Sequence, residues 1–268
     1  IQNNFVSRRI RIGSIEHSQS IDVEGITSIY DGDDLRKLWW LSRIRGRLPF
    51  DNIESSKRRM RIVDLFSGCG GLVTGIRWAC EGLGFKSKVV MASEIFKPAI
   101  DVYRKNHSPR DMIPENVANL VDYQETEDGL TNIDLMDDVL EELVDRVDIL
   151  VAGPPCQGNS NLNNITRRSD TRNELYVSAI AIAIALNSKI VIIENVPEVG
   201  VSDQNVVKRS RNTLQKYGYS ITEKEIKLDA SNFGTAQSRK RHFTIGIKNG
   251  ISPSLDLLEQ IKCEKISC

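Results

Sequence analysis

Cysteine is scarce and unpaired: Cys69, Cys80, Cys156, Cys263 and Cys268 are the only five. The count is odd and no CxxC pair occurs, so neither a disulfide framework nor a thiolate zinc site is encoded. A reducing compartment, cytoplasm or nucleoid, is expected, with a thiol left over for chemistry. No apolar run reaches the roughly 18 residues that a spanning helix needs. The longest, Tyr176 to Leu186, reads as a buried helix. Neither sign of charge is in excess, with 36 Lys+Arg against 36 Asp+Glu, so net charge does not hold this chain to a polyanion. No secretory signal opens the sequence. A first residue of Ile rather than Met suggests a processed or partial product.

What is present is an ordinary globular composition: 268 residues, 40% hydrophobic and 27% charged, enough for one large domain with a real core. Residues 1–61 carry 12 Lys/Arg and 8 Asp/Glu, a net +4 that the remainder cancels. Any polyanion contact must therefore come from local patches. Residues 1–60 read as a separate extension. Asp33–Arg45 has the apolar spacing of an amphipathic helix, and Asp51–Arg59 reads as a polar linker. That helix suits either a docking surface or DNA clamp, or plain packing on the body of the domain.

From Arg61 apolar runs alternate with helical patterns. Ile62–Phe66, Lys88–Ala92, Asp148–Ala152 and Lys189–Ile193 read as buried strands. Leu72–Glu81, Pro98–Asn106, Asp134–Val144 and Asn173–Leu186 read as helices, followed by a polar one near Val206–Tyr217. Tyr219–Ile226 and Arg241–Ile247 suggest an antiparallel edge hairpin. The alternation predicts an α/β class, a doubly wound, mostly parallel sheet over residues 61–248, with 249–268 as a tail. In such folds ligands sit beyond the carboxyl ends of the strands.

The unusual residues fall at those ends. Asp64-Leu65-Phe66-Ser67-Gly68-Cys69-Gly70-Gly71-Leu72 leaves a strand and opens a helix, where glycines allow close backbone approach and amides are free. Glu94 ends the next strand, 23 residues after Gly71, a spacing suited to ribose hydroxyls. Together they suggest an adenosine-containing cofactor. Gly153-Pro154-Pro155-Cys156-Gln157-Gly158 holds a thiol stiffly at a strand exit. Glu194-Asn195-Val196-Pro197 ends the neighbouring strand, and adjacent strand ends lie about 5 Å apart, so a carboxyl stands near the thiol. Gln237-Ser238-Arg239-Lys240-Arg241 precedes the last strand, with Arg239 and Arg241 on one face. Taken singly, each has a bland reading: a tight turn, a packed cysteine, a capping glutamate, a solvated basic run.

Taken in order, DLFSGCGGL, GPPCQG, ENV and QSRKR resemble the motifs of the DNA (cytosine-5) methyltransferase family, over roughly Arg61 to Lys248. The resemblance implies a Rossmann-like S-adenosylmethionine-dependent fold and methyl transfer to C5 of a flipped cytosine in double-stranded DNA. It makes Cys156 the nucleophile at C6, Glu194 the acid at N3, and Arg241 with Arg239 the groups at the base. It places S-adenosyl-L-methionine, without any metal, against Phe66, Ser67, Gly68, Gly70, Gly71, Leu72 and Glu94. Pro154 and Leu175 belong to the same pocket. Asn116 and Val117 are expected at the adenine, with Asp134 as the competing choice. Ile95 stands where the family often has an aromatic residue, so stacking is looser or draws on Phe96. Gln157 to Asp170 corresponds to a loop that closes over DNA, with Arg167 and Arg168 toward phosphate.

The family normally continues into a target-recognition region, an arginine-rich helix and a Gly-Asn-Ser-Val segment. None is found after Ile247, and residues 1–60 hold no permuted copy. Base reading needs side chains in a groove, so the expectation is the catalytic part of a split enzyme, completed by a second subunit, in the cytoplasm beside the nucleoid. A trimmed piece of one long chain is the alternative architecture. A transfer-RNA cytosine-5 methyltransferase and a non-catalytic DNA-binding subunit are the alternative functions.

Overall fold

The computed structural model describes residues 4–12, 15–26, 35–44, 50–51, 56–126, 129–155, 171–197, 206–235, 237–250, 253, 258 and 262. The chain falls into two compact units. One comprises Ile1–Met60 with Thr74–Ser87, the other Arg61–Val73 with Lys88–Cys268.

In the first unit, β1 (Phe5–Ile12), β2 (Ile15–Asp22) and β3 (Phe50–Asp51) form an antiparallel sheet in that order. β1 alternates: Val6 is buried, while Ser7, Arg9 and Arg11 are exposed. Its arginines break the apolar signal, which is why the hairpin is hard to read from sequence. The helix expected at 33–45 is α1 (Leu35–Ile44). It buries Leu38 and Trp39 with Val6, Ile21, Val23 and Ile26. Arg8 lies over the Trp39 ring at 4.3 Å, and Arg43 pairs with Glu81 at 2.9 Å. Packing within its own unit thus accounts for the buried face of the helix.

The main sheet is made of β4 (Ser56–Leu65), β5 (Phe85–Ser93), β6 (Asp111–Ile113), β9 (Ile149–Ala152), β10 (Ile190–Asn195), β11 (Tyr219–Ile221) and β13 (Lys240–Lys248), ordered β11-β13-β10-β9-β4-β5-β6. β12 (Ile226–Asp229) also pairs with β13. β4, β9 and β10 run parallel, as do β5 and β6, while β13 is antiparallel to β10. The α/β, mostly parallel sheet expected from the alternation is therefore what forms. Helices α2 (Gly71–Gly82), α3 (Lys97–His107) and α5 (Thr171–Ala185) connect strands, and α6 (Val206–Lys216) leads to β11.

Three local expectations change. Ser56–Arg59, read as linker, already belongs to β4. Asp134–Val144, read as a helix, begins as the end of β8 (Gly129–Leu135), which pairs with β7 (Val121–Thr126), and only α4 (Asp138–Glu141) is helical. Asp137 caps that short helix by accepting from the Val139 and Leu140 amides, which fixes its start. The stretch Tyr219–Ile226 is two strands, β11 and β12, lying on successive parts of β13. The β12–β13 hairpin exists, but β13 lies inside the sheet.

α5 is apolar on every side because it is enclosed. Ala179 to Ala183 are completely buried, and the helix touches the β7–β8 hairpin and α6. Tyr176 donates to Thr244 Oγ1 at 2.8 Å, tying this helix to β13. Among the described residues no helix is long and apolar enough to cross a membrane. Leu150, at the centre of β9, is fully buried in the main core. Leu150→Ala should therefore cost about 2–5 kcal/mol of stability, read as a lower denaturant midpoint with an unchanged slope.

Candidate active site

The strand order reverses between β4 and β9. β4 leads outward through β5 to β6, and β9 leads the other way through β10. Their carboxyl ends open on a common crevice, the place where such sheets bind ligands. The Gly153 amide donates to the Leu65 carbonyl at 3.2 Å, which holds the two strand exits together.

The turn after β4 is conformationally demanding. Phe66 (φ 53°), Gly68 (φ 51°) and Gly70 (φ 87°) are all left-handed. A non-glycine residue there is strained, and such strain concentrates at functional sites. The Ser67 amide donates to the Ser93 carbonyl at 3.0 Å, so the turn is fixed to the end of β5. Gly70 is imposed by packing: a Cβ would lie 2.2 Å from His107 Nε2. Gly68 and Gly71 differ, because a Cβ on either would meet nothing within 4 Å. The backbone there borders open space, at the amino end of α2 where helix amides are unsatisfied.

Glu94, at the end of β5, faces this turn. Its Oε2 accepts from the Gly68 amide at 2.8 Å, and its Oε1 accepts from the Ile95 and Phe96 amides, both at 2.9 Å. These contacts lock the carboxylate in place and leave it capacity for a further donor. Ile95 and Phe96 are strongly exposed beside it. Beyond β6, Asn116 accepts from the Ala118 amide and caps a short helical turn in which Val117 is buried. Asp134 lies on the β7–β8 hairpin, opposite Asp122 and outside the main sheet. The structure thus places Asn116 and Val117, not Asp134, at a strand end of the main sheet.

On the other side of the crevice, Glu194 ends β10. A Cβ on Gly153 would lie 3.7 Å from Glu194 Oε2 and 3.9 Å from the Phe66 carbonyl. Gly153 therefore joins the glycine turn to the acid. Arg241 Nε pairs with Glu194 Oε1 at 2.7 Å. In the β10–β13 register Glu194 faces Phe243, and Arg241 follows by alternation on the same face. Arg239 is exposed, and its backbone amide is held by Asp229. Asn195 points to the opposite face and donates to the Pro154 carbonyl at 3.3 Å, bracing the loop that leads to position 156. Cys156 itself, with the loop Gln157–Asp170, lies outside the described residues. Leu175 is half-buried in the first turn of α5, and Leu72 is half-buried in that of α2.

Asp64 is a buried residue that motif reading alone passed over, although an acid inside Ile62-Val63-Asp64-Leu65 is a visible anomaly. It accepts from the Tyr103 hydroxyl at 2.8 Å. Burial pushes its carboxyl up to about 7; Tyr103 opposes the shift and nearby Glu94 adds to it.

The residues present fit a cationic, adenosine-bearing group. Ser67 Oγ is buried with no hydrogen-bond partner among the described residues, a cost that a ligand donor or acceptor would relieve. Gly68 and Gly71 leave room, and Glu94 supplies a carboxylate beside Gly68.

Sheet order, reversal point and glycine turn together define the doubly wound α/β class to which methyltransferases belong. A solved chain from an E. coli prophage, described as a DNA modification methyltransferase, matches with a TM-score of 0.53 at 28% identity. The match covers 70% of this chain and 47% of that one. The profile of C-5 cytosine-specific DNA methylases matches residues 60–266, and the chain belongs to that family. Type II methyltransferase M1.BsuMI of Bacillus subtilis is 33% identical over 235 residues, which cover 88% of this chain and 51% of that protein. Type II methyltransferase M.AgeI of Thalassovita gelatinovora is 32% identical over 195 residues, covering 71% and 40%. The chain spans about half the length of the curated relatives it matches.

The buried carboxyl gives a test. With Asp64 near 7 when folded and near 3.9 when unfolded, the folded state keeps a proton that the unfolded state gives up. Stability should then fall as pH rises from about 4 to about 7, by at most about 1.4 kcal/mol per unit, and level off above. Asp64→Asn should remove this component, so thermal melts across that window should decline less than for the wild type. Parallel declines would contradict the assignment.

Proposed function

We propose that this chain is the catalytic part of a DNA (cytosine-5) methyltransferase using S-adenosyl-L-methionine. The observation that carries the reading is the Glu194–Arg241 pair at the mouth of the crevice, bordered by Gly153 and followed, three residues after Gly153, by Cys156. That acid, that guanidinium and a thiol are the groups that pyrimidine C5 chemistry requires.

C5 of cytosine is a poor nucleophile. Cys156, as thiolate, adds to C6 and turns C5 into an enamine carbon. Glu194 holds a proton at N3, so the ring accepts the electron pair of the incoming sulfur. Arg241 binds the C2 carbonyl oxygen and keeps Glu194 aimed at the ring. Arg239, two residues earlier and just before β13, serves near the base. The cofactor supplies the methyl group. Phe66, Ser67, Gly68, Gly70, Gly71 and Leu72 form its cradle, and Glu94 takes the ribose hydroxyls. Ile95, Asn116 and Val117 border the adenine, and Pro154 and Leu175 close the side toward the thiol. When C5 loses its proton to a base, the Cys156 sulfur leaves and the ring regains its aromaticity. The target base must be out of the stack for this to happen.

Sequence-specific reading of double-stranded DNA is assigned to a target-recognition region outside these residues, on a second subunit. The enzyme would act in the cytoplasm, at the nucleoid, beside a restriction partner or as an orphan. That this chain matches only about half the length of the type II relatives supports a recognition region outside these residues.

The test is covalent trapping. The complete enzyme should form a gel-stable adduct with DNA carrying 5-fluorocytosine at its target, and Cys156→Ser should abolish both adduct and methyl transfer, a loss of at least about 10³-fold. Full turnover by the Ser variant would refute the mechanism. Supplying the recognition region in trans should raise transfer to a specific site, and sequence-specific methylation by the 268 residues alone would refute the divided architecture.

A further inference from the structure

We propose that Asp229 is a positioning residue that sets the register of β13 and so delivers Arg241 to Glu194; this rests on the functional reading above. Asp229 ends β12 and caps the helical turn Ala230–Phe233. Its Oδ1 accepts from the Ser231 amide at 3.1 Å, on the outgoing side of the excursion. The same oxygen accepts from the Arg239 amide at 3.1 Å on the returning side, and Oδ2 accepts from the Ser238 hydroxyl at 3.0 Å. The Ala230 amide donates back to the Arg239 carbonyl at 3.0 Å. One nearly buried carboxylate thus closes the neck of an excursion that holds the first three residues of QSRKR. Its donors, first the Ser231 amide, hold the carboxyl down at about 2, so it is ionised under all working conditions.

The neck decides what faces the site. Directly beyond it the ladder begins, with Asp229 opposite Lys240 and Leu228 opposite Arg241. Strand side chains alternate with a period of two, so a one-residue slip exchanges the faces. Arg241 would turn away from Glu194, and Lys240 or the completely buried His242 would replace it. On the His242 face Thr244 is held by Tyr176 at 2.8 Å, two residues further along the strand, while at the start of the strand the three bonds to Asp229 fix the register beside Arg241.

The experiment uses the complete enzyme and follows two readouts, methyl transfer and hydrogen exchange at the Arg239 amide. Asp229→Ala should speed exchange at Arg239 and lower kcat by about tenfold to a hundredfold, with KM for S-adenosyl-L-methionine unchanged. Because the residue acts through Arg241, Asp229→Ala combined with Arg241→Ala should be no slower than Arg241→Ala alone. Asp229→Asn, which keeps the Oδ1 acceptor, should recover most of the rate. Wild-type kcat in Asp229→Ala, or losses that add in full, would overturn the proposal. Should the Ala variant fail to fold, Asp229→Glu keeps the charge but moves the acceptor by a methylene, and wild-type kcat there would overturn it equally. If the wild type transfers no methyl group, the functional reading has failed on its own. Exchange at Arg239 then decides the positioning role, and unchanged exchange in the variant refutes it.

Discussion

The reversal of strand order between β4 and β9 is the constraint on which the rest depends. Two parallel strands side by side, each leaving the sheet at its carboxyl end, must send their following segments apart. The space between those segments cannot be filled by either. The Gly153–Leu65 hydrogen bond holds the two exits at sheet spacing. The glycine turn after β4 and Pro154-Pro155 after β9 therefore share one opening, with Glu94 and Glu194 at the adjoining strand ends. A Cβ at position 153 would stand in ordinary contact with Glu194 and the Phe66 carbonyl, so this residue lies where the two halves meet.

Three acids around this opening show how one functional group takes different characters from its surroundings. Asp64 is enclosed in the sheet with a single donor, Tyr103, and burial pushes its carboxyl up to about 7. Glu94 is met by three backbone amides and acts as an anchored acceptor. Glu194 is half-exposed and paired with Arg241, so its orientation is set by a guanidinium that the opposite strand carries. Burial, amide hydrogen bonds and an ion pair thus hold the three carboxyls in three different ways.

The supporting architecture follows the same logic. α5 is enclosed and tied by Tyr176 to β13, so the strand carrying Arg241 is braced from below as well as at its neck. β12 and β11 together cover the outer edge of β13. In the N-terminal unit, Arg8 and Arg43 sit against Trp39 and Trp78 as much as against acids, and its basic excess is partly consumed in packing.

Much was legible in the sequence because it is local. Strand–turn–helix periodicity placed β4, β5, β9, β10 and helices α2, α3 and α5, and short motifs beside the strands marked Glu94, Glu194 and Arg241. The β1–β2 hairpin and the β7–β8 hairpin were not legible, since their alternation is interrupted by charged residues on an exposed face. What the sequence by itself determined is which residues stand at the ends of which strands, since periods of 2 and 3.6 are properties of neighbours along the chain. What only the tertiary structure decided is which ends meet: that β13 slots against β10 and sets Arg241 on Glu194, that Tyr103 reaches Asp64, and that Asp229 closes the neck before β13. Those pairings join residues tens of positions apart or across a turn, and strand order and register, which no local pattern encodes, bring them within a hydrogen bond.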